Sequence, residues 1–301
     1  MGGINLPGKR TALFFFFIIL GVVLFLEPVK QLIDLSFKYD PLYSHIPLIP
    51  LISLYLLFEK RKAIFGGVSS SYKGGIPFLA LAIVLFWIGN RITGINQNDY
   101  LSVMMLGAFT WFIGSFILVY GIGAFKKGAF SLLFLVFMIP IPTIILDPFI
   151  LFLQVCSAHV SFAVFKLLGV PVFREGFLFS LPGVTVEVAK QCSGIRSSLA
   201  LFITSILAGY LFLQTGRRRV LFALSVFPIT IFKNALRIVT VSLLASYVDL
   251  VFITDHWIHS SGGVPFFVVA LITLVPVLWI LRRGEGKEDS PEAMAIRQHR
   301  E

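Results

Sequence analysis

Ile139-Pro140-Ile141-Pro142 falls where two apolar runs, 128–147 and 148–169, follow one another with no basic loop between them. Each proline removes a helical N–H donor and turns the residue before it away from helix, so the chain breaks here. How it breaks decides the topology. Apolar runs can be drawn at 11–27, 41–58, 75–95, 101–123, 128–147, 148–169, 193–214, 220–248 and 262–281. Each reaches, or nearly reaches, the ~20 residues that cross a hydrocarbon core. The clusters Lys9-Arg10, Glu59-Lys60-Arg61-Lys62, Lys126-Lys127, Arg217-Arg218-Arg219 and Arg282-Arg283 mark loops that face inside. Segments 34–40, 96–100 and 249–259 then face outside. From Lys126-Lys127 inside to segment 170–192 outside, the chain must cross an odd number of times, yet two runs intervene. One of 128–147 and 148–169 is therefore expected to be a re-entrant or interfacial half-helix, tolerated where protein buries it. The result is an all-α integral membrane fold: a bundle of about eight transmembrane helices plus that half-helix, with both termini inside.

Composition agrees. Of 301 residues, 57% are hydrophobic and 13% charged, and mean hydropathy is +0.92, against about 25% charged in a soluble domain. Residues 1–283 read as a single polytopic domain with no room for a soluble one. The charged tail 284–301 reads as disordered. The net charge of +10 lies in short runs between apolar segments, which makes it a topology signal rather than a nucleic-acid surface. Membrane lipid is the expected partner, and nucleic acid is not. The first apolar run ends at Glu27-Pro28-Val29-Lys30 without a small-residue cleavage pattern and reads as a retained anchor. The two cysteines, Cys156 and Cys192, have no paired spacing for a metal cage, so neither a metal nor an organic cofactor is expected.

Residues 170–188 alternate apolar and polar side chains, with β-branched residues and Gly or Pro punctuation, as in a small outer β-hairpin-like element. It leads into Val186-Glu187-Val188-Ala189-Lys190-Gln191-Cys192-Ser193-Gly194-Ile195-Arg196-Ser197-Ser198, the most reactive-looking segment of the chain. A thiol at the first turn of a helix meets unpaired N–H groups and the positive end of the dipole, which favour thiolate. Ser193 is placed to cap that helix, and Gly194 leaves room for close approach. Arg237 lies about 17 residues, or ~26 Å, from the inner end of its helix, near the outer boundary. His259 begins the last helix at the same face. Cysteine as nucleophile, histidine as proton carrier and arginine as oxyanion partner make an acyl-transfer set.

Each residue also has a plainer reading. Cys192 can be small packing, His259 solvated loop, and Arg237 a pairing residue. Arg196 either helps hold the thiolate or snorkels to water. Asn234 reads as an interhelical hydrogen-bond partner. Glu187 and Glu175 contact a substrate's polar motif or are solvated. His45 is placed to line the outer site, while His159 and Cys156 read as packing.

Cys192-Ser193-Gly194-Ile195-Arg196-Ser197, then Asn234-Ala235-Leu236-Arg237-Ile238, then His259 with Gly263 four positions on, resembles the exosortase/archaeosortase family of multi-pass membrane transpeptidases. Ser44-His45-Ile46-Pro47-Leu48-Ile49-Pro50 with Glu59-Lys60-Arg61 is similar to the family's early segment. Pro140-Ile141-Pro142, Leu153-Gln154, Leu168-Gly169-Val170-Pro171-Val172 and Leu181-Pro182 follow its central run in order. The resemblance covers roughly 40–280. It implies Cys192 as nucleophile, Arg237 as oxyanion or substrate-positioning residue and His259 as acid/base. His256, three residues earlier, offers a second imidazole that would share a helix side with it; the family spacing favours His259. The resemblance further implies a bacterial inner-membrane enzyme with an outward-facing site. It would cleave the C-terminal sorting signal of secreted proteins, a short motif, a transmembrane helix and a basic cluster, and pass them to an acceptor nucleophile in envelope or extracellular polysaccharide assembly. The rival reading is a transporter or export component for polysaccharide or lipid-linked sugar, in which Arg237 binds an anionic group.

Overall fold

Apolar residues without spacing for a one-sided stripe produce helices apolar all round, and such helices dominate the chain. The computed structural model describes residues 8–39, 41–249, 251 and 263–288. These fall into two compact units, Met1–Leu146 and Asp147–Glu301. The first holds α1 (Gly8–Leu24), α2 (Leu26–Asp34), α3 (Leu48–Glu59), α4 (Arg61–Phe65), α5 (Tyr72–Arg91) and α6 (Gln97–Leu133), which a 3₁₀ turn continues to Met138. The second holds α7 (Thr143–Leu167, beginning just before the division), β1 (Phe173–Glu175), β2 (Leu178–Leu181), β3 (Val184–Glu187), a 3₁₀ turn (Lys190–Ser193), α8 (Ile195–Phe212), α9 (Gly216–Tyr247) and α10 (Gly263–Glu288).

In the first unit, α6 and its extension are folded back at Gly121. A straight helix of 42 residues would be about 63 Å long. Yet Asn98 Nδ2 donates to Ile141 O at 2.8 Å, Ser102 Oγ to Pro140 O at 2.8 Å, and the Thr143 N–H to Asp99 Oδ1 at 2.7 Å. The two ends therefore lie side by side. Gly121 has φ 88° and ψ 166°, and a Cβ there would sit 1.9 Å from Ser69 O. Segment 69–71 takes up carbonyls that the break frees: Ser71 N–H donates to Leu118 O at 3.3 Å and Ser70 Oγ to Val119 O at 3.4 Å. Helix α5 runs antiparallel to the first limb of α6, with Gly75 against Leu118 and Gly89 against Met104, the small-residue packing of membrane helices. Helix α1 lays Phe14 against Phe112, Phe116 and Tyr120, and Trp111 Nε1 donates to Phe17 O at 2.9 Å. At the Gly121 end Arg10 donates to Val68 O at 2.7 Å and Lys127 to Gly66 O at 3.4 Å. The basic loops expected on one side thus do gather at one end of this unit.

In the second unit, α8 and α9 form a hairpin whose turn is clamped by α10. Glu285 accepts the Gln214 N–H at 3.0 Å and the Thr215 N–H at 2.8 Å, together with the Thr215 hydroxyl, placing a carboxylate at the N-terminus of α9. Arg218 donates to Leu281 O at 2.9 Å, so Arg217–219 and Arg282–283 share one end. Helix α7 runs parallel to α9: Phe149 meets Phe227 at 5.9 Å, Asn234 Nδ2 donates to Ser157 Oγ at 3.0 Å, and Phe165 joins the cluster of Ile238 and Val239. It therefore leads away from the arginine-rich end. The sheet sits beyond, with Phe179 against Phe165 at 5.8 Å and Ser246 Oγ donating to Pro182 O at 2.5 Å.

Several expectations change. Among the described residues, six helices are long and apolar enough to cross a membrane, and α1 with residues 26–37, bent by 69°, is a seventh candidate; these do not establish the expected count of eight. Run 101–123 and run 128–147 as far as Met138 are one helical element folded at Gly121, because a positive-φ glycine turns the chain without a loop. The break at Pro140 and Pro142 stands where it was expected. The small β element has three strands, antiparallel in the order β1-β2-β3, because Gly176 and Gly183 (φ 59° and 80°) each close a tight turn. The last helix runs on to Glu288, into the tail expected to be disordered.

Gly121→Ala should lower stability by about 1–3 kcal/mol or more. Gly123→Ala, where nothing lies within 4 Å, should be neutral or stabilising by up to about 1 kcal/mol. Thermal unfolding of both in detergent checks the contrast.

Candidate active site

Strand β3 is pinned at its end. The Val188 N–H donates to Phe177 O at 3.0 Å, and the Gln154 amide of α7 donates to Val188 O. The chain then makes the 3₁₀ turn containing Cys192, passes through Gly194 in the left-handed region (φ 74°), and enters α8 at Ile195. Cys192 thus lies in a separate short turn just before α8, not in the helix's own first turn. Gly194 occupies the cap position, so Ser193 does not cap the helix. Ser193 is buried, and its Oγ has no hydrogen-bond partner among the described residues. Gly194 O instead accepts from Ser197 Oγ at 3.0 Å and Ser198 Oγ at 2.8 Å.

A Cβ at Gly194 would lie 2.9 Å from Asn234 Oδ1, so this turn abuts α9 at Asn234. That asparagine, 1% exposed, holds Ser157 of α7, as expected of an interhelical partner. Arg237 follows one helical turn later and is half-buried. The turn that carries Cys192 therefore abuts the same stretch of α9 that carries Arg237. His256 and His259 lie outside the described residues. Arg196 and Glu187 are exposed, and Lys190 pairs with Asp147 at 3.8 Å. His45 is in the first unit, where Nδ1 lies 3.1 Å from Leu42 O.

Sequence reasoning missed Lys233. It is 4% exposed, donates to Ser197 Oγ, and precedes Arg237 by four residues, on the same face of α9. Its signal was present as a lone lysine inside the apolar run 220–248. Also missed was the stripe Gln154, Ser157 and Ser161 on α7, each buried and bonded to Val188 O, Asn234 and Ala235 O respectively. Two cations and a row of satisfied polar groups in apolar surroundings make an environment where negative charge developing on a substrate would be held strongly.

An apolar multi-helix chain with a buried polar, cationic centre beside a small sheet is an integral membrane protein. The family model for transmembrane exosortases, Exosortase_EpsH, matches residues 36–276, and the chain belongs to that family. No curated protein and no solved structure matches it.

Gly194→Ala puts a Cβ on a left-handed residue and against Asn234, and should cost about 1–3 kcal/mol. A drop in detergent melting temperature checks this, and an unchanged melting point would contradict the packing described.

Proposed function

We propose that this exosortase is a cysteine-type protease or transpeptidase acting on the C-terminal sorting signal of secreted proteins. The observation that carries the reading is the contact of the Cys192 turn with α9 at Asn234, which adjoins Lys233 and lies one helical turn before Arg237. The Cys192 thiolate attacks the scissile carbonyl. The oxyanion that forms is held by Arg237, and collapse expels the amine, which takes a proton from His259 and leaves an acyl-thioester on Cys192. An acceptor nucleophile, or water, then gives its proton to His259 and displaces the thiolate. Ser197, Gly194 and Asn234 fix the turn, and His256 supports His259.

Sidedness follows from charge. Arg217–219 and Arg282–283 share one end of the second unit, and the positive-inside rule assigns that end to the cytoplasm. Helices α7 and α9 lead away from it, which supports an outward-facing site. The protein is then multi-pass in the bacterial inner membrane with both termini inside. Its substrates enter laterally from the bilayer through their own apolar tails, in service of envelope or extracellular polysaccharide assembly.

A second reading, export of a polysaccharide or lipid-linked sugar, is favoured by the pair Lys233 and Arg237, which also suits a phosphate. Intact-mass analysis of envelope and secreted proteins from cells with wild-type protein or Cys192→Ser separates the two. Retention of C-terminal apolar tails only in the variant is the expected result. Identical profiles would remove the thiol from the chemistry and leave the export reading. Lys233→Met takes a charge out of an apolar interior and should leave the melting temperature equal or higher. Processing should slow by at least tenfold; wild-type rates would make Lys233 purely structural.

A further inference from the structure

The sheet has an outer edge that leads straight to Cys192. In the β2–β3 pairing, Val184, Val186 and Val188 face Leu181, Phe179 and Phe177 in register. Because Val188 N–H bonds Phe177 O, and hydrogen-bonded positions alternate along an antiparallel pair, these three valines direct their backbone groups toward β2. Thr185 and Glu187 direct theirs the other way. No described residue hydrogen-bonds to those outward N–H and C=O groups, and both side chains are exposed. The opposite face is occupied, with Val184 and Val186 packed on Phe165, Phe179, Ile238 and Val239. An open row of backbone donors and acceptors cannot rest against hydrocarbon. It is a template for another strand.

We propose that the outer edge of β3 is the peptide-binding subsite, where the segment of substrate flanking the scissile bond adds as a fourth, extended strand paired to Thr185 and Glu187. The occupant is an extended polypeptide because of where the edge ends. Glu187 is five residues from Cys192, a chain distance of at most about 17 Å, and the Gln154 bond to Val188 O fixes the end of the strand against α7. Main-chain pairing supplies affinity that does not depend on side chains, so one site accepts many secreted proteins that differ outside their short motif. This rests on the reading of Cys192 as nucleophile.

The test is Thr185→Pro in the full-length protein, since it deletes one outward N–H while leaving the β2–β3 ladder intact. The same replacement at Arg174, whose backbone faces outward on the far edge of the sheet, is the comparison. The probes are the proteins that keep their apolar tails in Cys192→Ser cells. Thr185→Pro should slow their processing at least tenfold, with the alkylation rate of Cys192 and the melting temperature unchanged, and Arg174→Pro should process normally. Wild-type processing by Thr185→Pro overturns the proposal, even if a dimer built edge to edge is lost. If Thr185→Pro does not fold, a proline scan of one substrate decides: sensitivity at alternate positions beside the cut supports strand addition, and uniform tolerance overturns it. Normal processing by Cys192→Ser would instead remove the underlying reading, whereas a block in Cys192→Ser with normal Thr185→Pro removes only the edge.

Discussion

The second unit turns on one buried contact, the Asn234 amide donating to Ser157 Oγ at 3.0 Å with Gly194 pressed against the asparagine side chain. In hydrocarbon no water satisfies an amide, so an asparagine in a spanning helix is retained only where neighbours bond it. Here α7 bonds it through Ser157, and the turn entering α8 packs against it. Three segments distant in sequence are thereby locked at one level, and a left-handed glycine is required because any Cβ would meet the amide. The polar turn is held by the same group that makes it costly.

The first unit follows the same constraint with backbone instead of side chains. Breaking α6 at Gly121 exposes carbonyls that nothing in a bilayer would satisfy. Segment 69–71 reaches in to bond Leu118 and Val119, so the fold-back and the 69–71 segment require one another. At the far ends of the limbs Asn98, Asp99 and Ser102 bond residues 140–143, capping the break that the prolines impose.

What the sequence disclosed is what hydropathy and charge encode locally. The membrane class, the proline break, the clustered basic loops and the β element before Cys192 were legible because each is written in consecutive residues. The direction of α7 was not: it depends on pairings such as Phe149 with Phe227, which no run of hydropathy contains. The kink at Gly121 escaped for a related reason, since a glycine inside an apolar stretch reads as helix until its φ is known. At the site, the Cys-Ser-Gly turn, Asn234 and Arg237 were visible as polar residues beside apolar runs. Lys233 was passed over although it is equally anomalous. The role of Ser193 as a cap failed because Gly194 takes that position, a backbone fact that residue type alone does not fix.

Lys233 and Arg237 bear on each other through helical spacing. Like charges one turn apart repel, and burial strengthens that repulsion. Keeping both on one face of α9 concentrates positive charge at one level of the helix. Ser197, the neutral hydroxyl to which Lys233 donates, orients the ammonium without neutralising it. A thiolate, an oxyanion or a bound phosphate would each be attracted to such a site. On the function proposed above, the buried lysine and half-buried arginine favour an anion at the site, while the open strand beside it favours delivery of an extended peptide.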